Sequence, residues 1–367
     1  MILEWNLKWL HMMTSVLRFK YFFTSVFLII GLGLWLSYPR FYEFKGETFG
    51  TTYKVIIIGP KYSINPKRIK QNISNRLSQL DYLFSTYRKD SEIMTLNNVP
   101  VGKKIKLDSE LVALIQLSQQ LQIKIGKVWD PTIVPISKKY GFSTVQGTSG
   151  TDVGLNNVIV LDKFHLKKNA NITLDLSSIA KGYAVDEISK LVNLPSVKGT
   201  YVDIGGEIKI TGQKPGNTPW GIGIQSPTQL NQLAQVVYGT NLAIATSGNY
   251  LNYTLDKNNN RIGHIVDPLS KSSISHSMLS VSIIADQCAV ADAVATGVFV
   301  MGPEKALEWL NFNQDYPALL IGNLIGHIQT VLFVSNGEVQ LVKHLLHPQL
   351  SVLYTSHKIH PRHKQME

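Results

Sequence analysis

Hydrophobic positions along this chain recur with two periods, and each predicts a different element. Short β-branched runs bounded by Gly, Pro or Asn predict strands at 51–59, 157–162, 171–176, 200–212, 220–225, 242–246 and 278–285. Helical spacing predicts helices over 66–84, 108–125, 177–192 and 287–302; in the third it puts Ile179, Tyr183, Ile188 and Leu191 on one face. Hairpins and helices interleave without a regular βαβ alternation. The pattern therefore predicts an α+β fold, antiparallel sheets flanked by helices, rather than a Rossmann fold. No GxGxxG follows a strand, and the GxG at Gly221–Gly223 lies inside one.

A third pattern stands at the N-terminus. Between Lys20 and Arg40 runs YFFTSVFLIIGLGLWLSYP, free of charge. As a helix it is about 28 Å long, close to the hydrocarbon core of a bilayer. The cations before it keep the N-terminus cytoplasmic by the positive-inside rule and send the rest across. The residues that follow, SYPRFYEF, are bulky where a signal peptidase needs small ones. No cysteine follows the run, which excludes a lipoprotein anchor. The expectation is an uncleaved single-pass anchor in the cell inner membrane, with the body on the periplasmic side. Met12 and Met13 are alternative starts that leave a more ordinary leader. The chain thus divides into an N-terminus with its anchor (1–40), a body (41–342) and a basic, His-rich tail (343–367). The tail carries HKIHPRH, which reads as a solvated segment before it reads as a metal clip.

Composition narrows the body's role. With 44% hydrophobic and 17% charged residues the chain can build a core, so a wholly disordered protein is excluded. The single cysteine, Cys288, excludes an intramolecular disulfide and a Cys-cluster metal site. The formal charge of +11 admits a nucleic-acid binder, a membrane-surface protein or an enzyme for an anionic substrate. Residues 1–40 hold +3 of it and the tail another +3, leaving +5 for the body. Those basic residues are dispersed, with no basic helix or aromatic-basic stripe, so nucleic acid is not an expected partner.

Six segments can carry chemistry. In DLSSIAKGYAVDEI a strand ends at Asp175–Leu176 and a helix opens near Ser178. The free N–H groups of that helix start, with Lys181 in its first turn, suit phosphate; a plain capping serine beside an exposed lysine is the alternative. In ADAVAT, Asp292 and Thr296 are four apart on one helix face, and both offer the oxygen that hard divalent cations prefer. An Asp paired with lysine is the competing account, but the run's apolar character demands some partner for the buried carboxylate. In GHIVDP, His264 is a general-base type, and Asp267 can orient it or bind metal. Tyr87 and Trp129, the latter beside Asp130, can stack a planar ring or simply pack. VDIGGEI makes a tight turn with close backbone approach.

In chain order, FGTTYKV, STYRKDSEIMTLN, VWDPTIVPI, LDLSSIAKGYAVD, YVDIGGEIKITG, PWGIGIQSP, ATSGNY, HIVDP and ADAVATGVFVMGPEKAL resemble the ApbE family, the FAD:protein FMN transferases, across about residues 45–337. The resemblance implies an α+β fold binding FAD between two subdomains. It implies Mg2+-dependent transfer of FMN to a Thr or Ser hydroxyl of an acceptor protein, releasing AMP. Tyr87, Trp129, Asp130 and Pro131 match positions at the flavin end, Asp175 and Lys181 match FAD contacts, and Ile265 matches a backbone contact to the nucleotide. Ser178 and the Ala180 carbonyl match the metal-facing turn, and Asp292 and Thr296 match Mg2+ ligands. His264, with Asp267 as alternative, is the expected acceptor of the hydroxyl proton.

Three departures from the family pattern stand out. Phe49, which the resemblance places among the FAD-binding positions, replaces the usual Met before Gly-Thr. Ala295 stands where some members offer a further Asp to the metal, which points to a mononuclear site. The apolar run takes the place of a lipid-bearing cysteine. Hydrolysis of FAD to FMN and AMP, or FAD binding from a membrane tether, are the alternative functions. The implied acceptors are flavin-bearing subunits of Rnf- or sodium-pumping NADH:quinone reductase-type complexes, or an extracellular flavin-transfer protein. This chain lacks a Ser/Thr-Gly-Ala-Thr-like site, so self-flavinylation is not expected.

Overall fold

A computed structural model describes residues 2–143, 145, 150–255, 259, 261–324, 327–335, 338–342 and 351–353. The HKIHPRH segment of the tail lies outside the described residues. The frame is one nine-stranded sheet whose strands lie side by side in the order in which they occur along the chain. They are β1 (Pro39–Thr48), β2 (Thr51–Pro60), β3 (Gly199–Ile204), β4 (Glu207–Gly212), β5 (Leu242–Gly248), β6 (Met278–Ala285), β7 (Ala318–Leu324), β8 (His327–Ser335) and β9 (Glu338–Val342). Every pairing in this sheet is antiparallel. One short parallel pairing lies elsewhere, between 351–353 and 236–238.

The helices are α1 (Ile2–Ser37), α2 (Pro66–Phe84), α3 (Ser109–Ile125), α4 (Ser177–Val192) and α5 (Cys288–Met301), with three shorter ones at 92–97, 134–139 and 303–312. Alternation along the strands sorts two cores. Val55, Ile57, Ala243, Ala245, Val281 and Ile283 face the layer that holds α2, α4 and α5. Ile58, Leu242, Ile244 and Ile284 face the hairpin formed by 220–225 and 233–239, where they meet Trp220, Ile222 and Val237. A side-chain period of two along a strand produces this division.

The ends of the sheet differ. At one end, here the tip, lie the two-residue turns 49–50 and 205–206 and the insertion 249–277 between β5 and β6. At the opposite end, the base, the chain leaves β2 at Pro60 and re-enters at Gly199 after a long helical insertion. The β1–β2 turn places Phe49 at φ +50 and Gly50 at φ +69. Positive φ at both central residues is what a tight hairpin turn of this length demands, and a phenylalanine held there is strained.

Helices α4 and α5 approach closely. A Cβ at Gly182 would lie 2.3 Å from the Cys288 carbonyl oxygen, so only glycine fits. The α5 N-cap, Gln287, makes no side-chain cap bond. Asp186 of α4 supplies one instead, its Oδ2 accepting from Ala289 N–H at 3.0 Å while Oδ1 accepts from Lys209 Nζ at 2.6 Å.

The segment 171–176, expected as a strand, makes only one bridge, Asp152 with Ile172, and is otherwise irregular. The reason lies in a side chain. Asn97 accepts from Leu174 N–H at 2.8 Å and donates to Leu174 O at 2.9 Å, replacing a neighbouring strand. The buried Lys168 ammonium in turn donates to Asn97 O at 2.7 Å. Asn97→Ala strands the Leu174 amide and carbonyl, and is expected to cost about 2 kcal/mol. Urea unfolding of the two proteins side by side measures it.

Helix α1 extends well before the apolar run, from Ile2 to Ser37. Among the described residues no helix is long and apolar enough to cross a membrane. The side chains described without a break in α1 run from Leu17 to Gly33, and all but Val26 are exposed. Phe19, Phe27, Leu28 and Ile29 are each about two-thirds accessible or more, at 67, 71, 71 and 69%.

Candidate active site

At the tip end of the sheet a cavity of about 550 Å³ opens between α4, α5 and the loops around 128–134 and 249–268. Three sequence-distant pieces converge there because α4 and α5 pack against the same sheet face. From α4 come Ser178 and Lys181, from α5 Asp292 and Thr296, and from the β3–β4 turn Gly205 and Glu207. Tyr87, Trp129, Asp130, Pro131, Asp175, His264 and Ile265 also line it.

Charge concentrates at its floor. Lys181 Nζ donates to Glu207 Oε1. Glu207 Oε2 is buried with no hydrogen-bond partner among the described residues. Asp292 is 3% exposed, and its Oδ2 accepts from Gly182 N–H at 3.1 Å. Burial pushes the Glu207 carboxyl up to about 7 despite the pull of Lys181, and Asp292 adds to the rise. Burial likewise raises Asp292. On Lys181 burial works the other way, but Glu207 and Asp292 outweigh it and hold its pKa above the ordinary lysine value.

Thr296 Oγ1 lies 3.0 Å from Ser247 Oγ and donates to Asp292 O at 3.2 Å. Ser178 Oγ accepts from Trp129 Nε1 at 3.0 Å, which holds the indole against the helix start. Asp292, Thr296 and Ser178 are hard oxygen donors of the kind Mg2+ takes. The Asp292 carboxylate is 3% exposed, and burial raises its pKa despite Lys181, so a cation beside it would favour the charged form. Among the described residues no group of three or more His, Cys, Asp or Glu side chains gathers to hold a metal. A cation held at Asp292 would need oxygen ligands beyond these protein groups.

The remaining expected residues take varied places. Asp130 is committed to its own turn: Oδ1 accepts from Thr132 N–H and Oγ1–H at 2.8 and 2.6 Å, and Oδ2 from Leu155 N–H at 3.3 Å. Asp175 Oδ1 accepts from Ser177 N–H at 2.9 Å, shaping the entry to α4. Ile265 has its N–H and carbonyl both engaged by the Asn249 side chain, at 2.9 and 3.2 Å. Ala180 is buried in the first turns of α4 and does not line the cavity. Phe49 lines a neighbouring groove of about 990 Å³ that shares Thr51 and Tyr87 with the cavity.

His264 lines the cavity with its Nδ1 3.2 Å from Asn252 O; burial lowers its pKa, and Lys181 lowers it further against the Asn252 carbonyl. Asp267 lies outside the lining, where Oδ1 accepts from Leu269 N–H at 2.8 Å. Sequence reasoning passed over Glu207, Ser247 and Asn249. The Gly-Gly-Glu turn and the ATSGNY segment were the signals that held them.

The comparisons with known proteins agree on one family. The family model described as "ApbE family" matches residues 49–320. The FAD:protein FMN transferase of Escherichia coli is 30% identical over 283 residues, which is 72% of this chain and 79% of that protein. The apo Pseudomonas stutzeri flavinyl transferase ApbE superposes with a TM-score of 0.69 at 28% identity, covering 77% of this chain and 91% of that one. The flavin transferase ApbE from Vibrio cholerae gives 0.70 at 26% identity, over 82% and 98%. On these matches, the chain belongs to the ApbE family.

Proposed function

We propose that this protein transfers FMN from FAD to a Ser or Thr hydroxyl of an acceptor protein in a Mg2+-dependent reaction that releases AMP. The observation that carries this reading is the convergence of Lys181, Asp292 and Thr296 from two helices onto one cavity that also presents Trp129 and Tyr87. A cationic, oxygen-rich floor suits a pyrophosphate, and aromatic walls suit a flavin ring. Membership of the family and the names of its relatives support the transfer itself.

The atoms balance simply. The acceptor oxygen attacks the FMN-side phosphorus, the bond to the AMP phosphate breaks, and AMP departs carrying the electron pair. Lys181 and the α4 N-terminus hold the pyrophosphate and offset its charge. A cation at Asp292, Thr296 and Ser178 supplies further neutralisation of phosphate charge. His264 takes the hydroxyl proton. It is neutral near pH 7 because burial lowers its pKa, the state a base requires.

Incubation with FAD, Mg2+ and a candidate acceptor tests the transfer, with covalent FMN mass on the acceptor as readout. Free FMN without any adduct would indicate hydrolysis instead. His264→Ala is expected to slow transfer by about a hundredfold while FAD binding persists, and Asp267→Ala to slow it far less. The wild-type rate should fall on acidification through a pKa below 6.5, as His264 becomes protonated, and the variant should lose that limb. An unchanged rate in His264→Ala would remove the base assignment.

The exposed apolar side chains of α1 support a single-span anchor, with the body on the extracytoplasmic side. A membrane-held enzyme suits acceptors that are themselves membrane complexes, such as flavin-bearing subunits of Rnf- or sodium-pumping NADH:quinone reductase-type assemblies.

A further inference from the structure

We infer that the base end of the large sheet rests on the lipid headgroup layer, so that the flavin cavity faces away from the membrane at a height set by strand length. This rests on the reading of α1 as a membrane anchor. Two segments far apart in sequence meet at that end. One is the exit of α1 into β1, with Trp35, Tyr38 and Arg40; the other is the turn after β2, with Lys61 and Tyr62. Pairing of Pro39 with Pro60 brings them to one level.

The chemistry of this end is that of a membrane interface. Two cations approach the Trp35 ring, with Lys61 Nζ 4.2 Å and Arg40 Cζ 4.6 Å from its centroid. Tyr38 and Tyr62 are 67 and 68% exposed, and Trp35 itself is 49% exposed. Amphipathic aromatics beside Lys and Arg, at the end of an apolar helix, match the environment where hydrocarbon gives way to headgroups. Residues within three positions of the helix end at Ser37 have no other depth to occupy once α1 spans the bilayer. Lys61 and Tyr62, pinned beside them by the hairpin register, share it.

The consequence follows from geometry. Strand β2 runs ten residues from Thr51, which lines the cavity, to Pro60 at the base. At about 3.3 Å per residue that is roughly 30 Å of strand. The cavity walls contributed by Gly205, Glu207, Thr246, Ser247 and Gly248 lie at the same tip end. With the strands upright on that layer, an acceptor must offer its hydroxyl up to about 30 Å above the bilayer surface, and any tilt of the sheet lowers that height.

The test uses the full chain in vesicles of mixed neutral and anionic phospholipid carrying a headgroup-attached quencher. Cys288 is buried, so single labelling sites are available. A fluorophore at Lys67→Cys, in the first turn of α2 near the base, is expected to be quenched at least about fivefold more than one at Glu47→Cys near the tip, because most of the strand length separates them. Adding Lys61→Glu with Tyr62→Ser removes one side of the belt and frees the body to tilt about the end of α1, so the difference should shrink at least about twofold while the melting temperature stays unchanged.

Equal quenching at the two positions in protein that stays in the membrane after alkaline carbonate washing would overturn the docking and leave the anchor standing. Persistence of the full difference in the double variant would also overturn it, since the belt would not be what holds the body. Loss of the chain into the carbonate supernatant would overturn the anchor reading, and the docking with it.

Discussion

Asp292→Asn is expected to lower FMN transfer by about a thousandfold while leaving the fold intact. The carboxylate sits 3% exposed on α5, and its Oδ2 accepts from Gly182 N–H, a bond the amide oxygen of Asn can still accept. Only the charge is lost, and with it the carboxylate proposed to hold the cation. Stability should move the other way. Burial raises the pKa of Asp292 above its unfolded value, so above that unfolded value the group costs the folded protein stability. That cost is absent below the unfolded pKa and grows as pH rises toward the folded one. Without Mg2+, the variant should therefore melt at the same temperature as wild type or higher. Mass spectrometry of the acceptor reads the first effect and calorimetry in chelator reads the second. More than about a tenth of the wild-type rate would remove Asp292 from the site.

Gly182→Ala is expected to have the largest effect on stability. The added Cβ would lie 2.3 Å from Cys288 O, 2.6 Å from Cys288 C and 2.8 Å from Ala289 N, all backbone atoms of the adjacent helix. Backbone cannot rotate aside, so α4 and α5 must separate, loosening the Asp186 cap on Ala289 and the Gly182 bond to Asp292. Overpacking of this kind costs about 3 kcal/mol, a fall of roughly 4 °C in melting temperature for a chain of this size. Because the two helices carry Lys181 and Asp292, transfer should fall even below the melting range. An unchanged melting temperature would show that the helices do not approach so closely.

The elements that strong periodicity announced are those the structure contains. The amphipathic helix at 66–84 and the strands at 220–225 and 278–285 have the expected bounds. Strand β1 escaped notice because it is an edge strand with only Phe44 buried and charges along its exposed face, which blurs the alternation. The segment 171–176 has a strand's composition, but its backbone bonds to Asn97, a residue about 75 positions earlier; no local pattern encodes that.

The site divides along the same line. Asp292 and Thr296 were legible together because four residues along a helix share a face, and Lys181 because it opens a helix. Glu207 was not, since its role depends on meeting Lys181 across 26 residues and a helix–sheet interface.

The sequence by itself determined the strongly periodic elements, the apolar N-terminal run, the distribution of charge and the resemblance to one family, since each is written in local composition and spacing. Only the tertiary structure decided that two helices and three sheet turns meet at one end of a sequential nine-stranded sheet. It also decided that Glu207 shares the floor with Lys181 and that Lys61 reaches Trp35. These are long-range contacts, set by which faces bury together, and side-chain chemistry read one residue at a time carries no record of them.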